Sequence, residues 1–297
     1  MDHAASRGAV ISHGGLLYVF FWIAGLLGQD PSAAEVRTQL ERQLTELSEQ
    51  LEQLRDPSLE LELHGRIGSL QQDLERYPEA RSSYASAIAL ARALDDREML
   101  LVHLGNQAVV VSALGEVEQA LVYSEEALAL SQELERPYWT WQLANNSGAM
   151  HLQQGNYAEA VEDFTLALEV RPDDTDPFAL GTVLSNMAVA HMYLGDHADA
   201  LELLDQALPL MEEAESLTGI AAVLSNQGDV YYLLGENDFA LRLQQDALEL
   251  RREHGTLADV ANSLQSLGAV LGQLGRGEEA LEALERAVEI QRRLGLN

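Results

Sequence analysis

A forty-residue period constrains this chain more than any other feature. A glycine recurs at Gly115, Gly155, Gly195, Gly235 and Gly275. Five residues after that phase stands an alanine, at Ala80, Ala120, Ala160, Ala200, Ala240 and Ala280. Seven residues further stands another, at Ala87, Ala127, Ala167, Ala207, Ala247 and Ala287. Seven residues before the turn phase sits Gly or Ala: Gly68, Ala108, Gly148, Ala188, Gly228 and Gly268. Small residues at fixed phases are needed where two helix backbones approach closely. Such a period marks a stacked helical array, each unit burying its apolar face on its neighbours. The stretch from Ala222 to Leu250 shows one unit, two amphipathic helices joined by a tight turn at Gly235-Glu236-Asn237. The expected fold is all-α, a right-handed α-solenoid of six helix-turn-helix repeats at about 61–100, 101–140, 141–180, 181–220, 221–260 and 261–297.

The chain divides into three parts. Residues 1–34 hold a run without formal charge from Gly8 to Gln29, continuously apolar from Gly15 to Leu27. That run is short for a membrane span, which needs ~20 residues, but suits the core of a signal peptide. Arg7 precedes it and Asp30 and Glu35 follow, which places the N-terminus inside and the rest outside. A cleaved signal peptide, an uncleaved anchor or a buried first helix are the alternatives, with export or anchoring in the cell envelope favoured over a cytoplasmic location. Residues 35–57 carry Val36, Leu40, Leu44, Leu47, Leu51 and Leu54. This helix is either a short coiled coil or, being in phase with the second helix of each repeat, a cap on the array; the cap is preferred because exposed array ends need covering. Residues 58–297 are the array itself. Leu281, Leu284 and Val288 in its last helix lack a following repeat to cover them, which raises self-association through that end.

The block Gly148-x2-His151, Gly155-x-Tyr157-x2-Ala160-x3-Phe164-x2-Ala167, then Pro172, resembles a tetratricopeptide repeat. The other blocks keep the alanines and vary the aromatics, as at Tyr77, Tyr84 and Tyr231. The usual repeat of that family is about 34 residues. The longer period here is similar to that of kinesin light chains and of helical arrays in some bacterial regulators. The extra residues are expected to lengthen the second helix and its loop, as in Glu249 to Val260. The resemblance implies a protein-binding scaffold and is specific for fold rather than for partner.

Composition narrows the partner. The formal charge is −30, from 48 acidic and 18 basic residues, and all of the basic ones are arginine. Nucleic acid and anionic lipid both want a basic face, so neither is an expected ligand; membrane contact is confined to residues 8–29. Cysteine is absent, which excludes disulfides and thiolate chemistry. No phosphate-binding loop, dinucleotide fingerprint or desolvated carboxylate pair stands out, so neither a cofactor nor catalysis is expected. Asp173, Asp174 and Asp176 lack the remainder of a calcium loop. His151 and His191 share one phase of successive repeats, too far apart at ~10 Å between helices to bind one metal.

What remains is a ladder. Two residues before the small packing residue, four repeats carry asparagine: Asn106, Asn146, Asn186 and Asn226. Two residues on a helix turn ~200°, so these side chains face away from the paired helix, towards the inner groove. The same stripe includes Val109, Gln142, Gln153, Thr182, Val189, Tyr193 and Asp229. Asparagine is a poor helix former, but it offers one acceptor and two donors to a peptide backbone. Similar asparagine rows in related arrays hold extended peptides. The ladder is thus expected to bind an extended, basic segment of a partner protein, or else to tie neighbouring helices together. The alternative function is a regulatory or targeting appendage of an enzyme assembly whose catalytic domain lies on another chain.

Overall fold

The computed structural model describes residues 31–295; the proposed export segment lies almost wholly outside them. Helix makes up 85% of the described residues, with no strand among them. Thirteen helices follow one another: α1 Pro31–Gln53, α2 Pro57–Asp73, α3 Tyr77–Ala93, α4 Arg97–Ala113, α5 Val117–Glu133, α6 Pro137–Gln154, α7 Tyr157–Glu169, α8 Pro177–Leu194, α9 His197–Glu213, α10 Leu217–Leu233, α11 Asn237–His254, α12 Leu257–Gln273 and α13 Gly277–Arg293. From α2 onward they pair as first and second helices of six repeats in a right-handed α-solenoid. Each second helix packs on the first helix of the next repeat, and successive first helices also touch from α4 through α12.

Both helices of most pairs run 17 or 18 residues. The forty-residue period is therefore two nearly equal halves, not a lengthened second helix as expected. The exception is α7, cut to 13 residues, after which the Arg171–Asp176 loop leads to α8. There Asp176 caps α8 by accepting from the Ala179 amide at 3.0 Å.

The halves share one closing device. At Gly235 the amide donates to the Tyr232 carbonyl at 3.0 Å, and the Glu236 amide to the Tyr231 carbonyl at 2.9 Å. This double bond ends a helix by putting one residue in the left-handed region. Gly115, Gly155, Gly195, Gly235 and Gly275 all take positive φ, between 72° and 90°. Glu75, Asp95, Glu135 and Glu215 do the same job at φ of 51° to 59°. For a residue with a Cβ that conformation costs roughly 1–2 kcal/mol. Five of the six first helices are also held by side-chain caps, from Asp56, Asp96, Asp176, Ser216 and Thr256, α6 being the exception, whereas no second helix from α3 to α13 has one.

The small residues work as reciprocal partners. A Cβ on Gly68 would lie 2.7 Å from the Tyr84 ring, and one on Gly148 would lie 2.7 Å from Phe164. Gly228 faces Gln244 at 2.8 Å and Gly268 faces Leu284 at 2.7 Å in the same sense. Ala188 and Leu204 occupy these two phases in repeat four and share one core cluster. Glycine here yields volume to a large side chain on the paired helix. The alanines at 80, 120, 160, 200 and 240, and those at 87, 127, 167, 207, 247 and 287, are fully buried. At the N-terminal end, Leu44 and Leu47 of α1 pack with Leu63, Ile67 and Leu74.

Candidate functional site

The asparagine row sits mid-helix on α4, α6, α8 and α10, the first helices of successive repeats, which touch one another in order. All four side chains are half-buried. Asn226 donates through Nδ2 to Ser185 Oγ at 3.0 Å, tying α10 to α8. Among the described residues the side chains of Asn106, Asn146 and Asn186 make no hydrogen bond. One member of the ladder thus ties helices together and three have unused donors and acceptors.

The rest of the stripe divides. Gln153 and Tyr193 are exposed; Val109 and Val189 are half-buried. Tyr193 stacks on Tyr157 with ring centroids 4.6 Å apart and planes 9° from parallel. Gln142 is buried and donates through Nε2 to Tyr138 Oη at 2.7 Å. Thr182 Oγ1 donates to the Phe178 carbonyl one turn back, at 2.8 Å. Asp229 belongs to a polar cluster inside repeat five rather than standing free. Its Oδ1 accepts from Gln244 Nε2 at 2.7 Å, and that Nε2 also donates to the Ser225 carbonyl at 2.9 Å. Ser225 Oγ donates to Gln244 Oε1 at 3.1 Å. Burial pushes the Asp229 carboxyl up, against opposing contributions from Ser266, Arg251 and Gln244. Sequence reasoning missed this cluster. The available signal was Gln244 itself, which stands at the phase of Tyr84, Phe164, Leu204 and Leu284.

The histidines have local partners. His151 Nδ1 lies 2.7 Å from Asp163 Oδ2 within repeat three. His191, Asp196 and Asp199 bring ligand atoms within 4.8 Å of one another across the α8–α9 turn, both carboxylates being exposed.

Charge is unevenly distributed along the row. From residue 137 to residue 241 the single arginine is Arg171. Asn146, Asn186 and Asn226 all fall in that stretch. The ion pairs that link successive repeats lie N-terminal to it, Arg81–Glu116 at 2.8 Å, Arg92–Glu126 at 2.7 Å and Arg136–Glu98, as does Arg97–Glu133 within repeat two. The central repeats therefore carry many carboxylates and almost no cation, but those carboxylates stand on the second helices and turns: α6 and α8 have none and α10 only Asp229. Their field acts on the row from a distance.

The relatives fit this architecture. The regulatory protein RapG of Bacillus subtilis is 25% identical over 155 residues, 52% of this chain and 42% of that protein. The chain thus spans less than half the length of that relative. The crystal structure of the apo form of RapI superposes with a TM-score of 0.69 at 16% identity, covering 94% of this chain and 99% of that one. BtubC of P. vanneervenii gives 0.60 at 23% identity, covering 75% and 92%. At these identities the two structures show the fold alone. The sequence profile of the tetratricopeptide repeat matches residues 59–133, 139–213, 179–253 and 219–293, well over half the chain. With six helix pairs at a single period and this match along them, the chain belongs to the tetratricopeptide repeat family.

Proposed function

We propose that this tetratricopeptide-repeat scaffold is non-enzymatic and holds an extended segment of a partner protein along its first helices. Residues 58–297 form the working array and residues 35–57 its cap. The observation that carries the reading is the set Asn106, Asn146 and Asn186, half-buried in one register with no intramolecular partner. First helices stand ~10 Å apart and an extended chain advances ~3.3 Å per residue, so each asparagine meets about every third peptide residue. Their amides satisfy a peptide's backbone whatever its sequence, so selectivity has to come from elsewhere. The acidic second helices contribute at long range, favouring a positively charged segment and speeding its arrival at low salt. Tyr193, exposed and stacked on the half-buried Tyr157, offers an apolar platform near the row. The second reading, a regulatory appendage of an enzyme assembly, draws on the likeness to RapG, a regulatory protein. It uses the same groove with a different occupant.

Replacing Asn146 and Asn186 together with alanine tests the groove. Capture of the partner from an extract at moderate salt should drop by tenfold or more, while the melting temperature stays within about 2 °C of the parent. Alanine is a better helix former than asparagine, so no stability loss is expected from helix propensity. A double variant that melts far below the parent and still captures the partner would mean that the row is only structural.

We further propose that residues 1–34 export the array or tether it to a membrane. Among the described residues no helix is long and apolar enough to cross one. N-terminal sequencing of the protein recovered from its native fraction should find cleavage near Ala34 or an intact chain in the membrane fraction. An intact chain in the cytosolic fraction would contradict both versions.

A further inference from the structure

The outer face of α13 is apolar and uncovered among the described residues. Ala280, Ala283, Ala287 and Ile290 turn inward and are buried, while Leu281 and Val288 are 58% and 41% exposed, and Leu284, which packs on Gly268 at the edge of that face, keeps 40% of its surface exposed. The preceding repeat shows what this face does. On α11 the same phases hold Leu241 and Leu248, which pack with Ala261 and Leu264 of α12. That covering helix runs antiparallel to α11, because a two-residue turn, Gly255-Thr256, joins them. The face is therefore shaped to receive one further antiparallel helix.

We propose that the occupant is α13 of a second copy of this chain, related by a two-fold axis. The charge order of the helix selects that partner. Its first turn is acidic, with Glu278 and Glu279, and its last turn basic, with Arg292 and Arg293. Glu279 and Arg293 already pair within the chain, with Arg276 and Glu289. Glu278 and Arg292 make no ion pair among the described residues. Antiparallel pairing about an axis between Leu284 and Glu285 sets Leu281 of each copy opposite Val288 of the other and brings Glu278 beside the other copy's Arg292, twice by symmetry. It also lays the Leu281–Leu284–Val288 stripe of one copy along that of the other, in the spacing of a two-helix seam. Parallel pairing would oppose like charges at both ends. The overall charge of −30 works against association, but in 0.15 M salt the repulsion is screened beyond ~8 Å. This inference is independent of what the groove binds.

Sedimentation velocity on the full chain over a concentration series in 0.15 M salt reads the outcome. The parent should dimerise, and Leu281→Glu with Val288→Glu should be monomeric with an unchanged far-ultraviolet spectrum, since both positions are already largely solvated. Glu278→Arg alone and Arg292→Glu alone should each weaken the dimer several-fold, and the two together should restore it. A parent that stays monomeric overturns the proposal. So does a dimer indifferent to all four changes, or a combined charge reversal that fails to restore association.

Discussion

Gly148→Ala is expected to cost about 1–3 kcal/mol, an unusual penalty for one added methyl group in a helix. Propensity alone would favour the change by about 1 kcal/mol. Packing reverses the sign, because the new Cβ would sit 2.7 Å from the Phe164 ring. Phe164 is fully buried, in a cluster with Trp141, Ala144, Ala160 and Ala167, so the ring has nowhere to retreat. Removing the ring instead, as Phe164→Ala, should cost about 3–5 kcal/mol through lost burial and a cavity. The informative variant is the pair Gly148→Ala with Phe164→Leu, which installs the Ala188–Leu204 combination of repeat four. Its loss should fall short of the sum of the two single losses by about 1 kcal/mol or more, as for residues in contact. Repeat arrays can unfold in stages, so hydrogen exchange of the α6 and α7 amides should accompany the denaturation curves. Strictly additive losses would mean that the two positions do not trade volume.

That reciprocity was only half legible in the sequence. The alternation of Gly and Ala at 68, 108, 148, 188, 228 and 268 identified the packing seam, but close backbone approach was the expected cause. The structure shows side-chain volume as the reason: glycine faces Tyr84, Phe164, Gln244 and Leu284. Pairing a small residue with a large one across the turn needs the helix register, which the period alone does not supply. The turns were legible where glycine marks them. Glu75, Asp95, Glu135 and Glu215 adopt the same left-handed conformation without any such mark. Tertiary packing on both sides of these turns overrides the local preference.

The candidate site divides in the same way. The period placed Asn106, Asn146, Asn186 and Asn226 at one phase; all four are half-buried on first helices, and Asn226 bonds across to the preceding one. Ser185 is what distinguishes Asn226, and it lies forty-one residues away in sequence. The residue one repeat earlier is Asn145 and those before it are Gly105 and Gly65, so the bonding pattern changes along the row. Asp229 shared the helical face of the ladder, yet Gln244 from the paired helix takes up its carboxylate. Helical spacing shows which way a side chain starts, whereas its partner comes from another helix.

His103→Leu is expected to stabilise the array, and more so as pH falls. The imidazole is 3% exposed, and neither ring nitrogen has a hydrogen-bond partner among the described residues. Gly65 makes room for it: a Cβ there would lie 2.3 Å from His103 Cε1. Four of the five other repeats hold Leu63, Leu143, Val183 and Val223 at this phase, the fifth having Ser263 bonded to Arg251, so an apolar side chain suits the position. Burying unpaired polar atoms costs about 1–3 kcal/mol, which leucine would recover at neutral pH. Burial also pushes the imidazole pKa down to about 4, against an opposing pull from Asp96. The folded state thus favours neutral histidine. That contribution is full above the unfolded value of about 6.5 and is lost as pH falls through 4. A gap of that size corresponds to about 3 kcal/mol at most. Asp73, at the end of α2, works in the opposite direction. Burial raises its carboxyl to about 6, so its folded state favours the acid form and acidification through that range helps the fold. Its partial exposure reduces the effect to about 1 kcal/mol, so His103 dominates. Thermal melts at pH 7.5 and 5.0 should show the advantage of the leucine variant widening at the lower pH. An advantage that is the same at both would mean that burial does not hold the ring neutral.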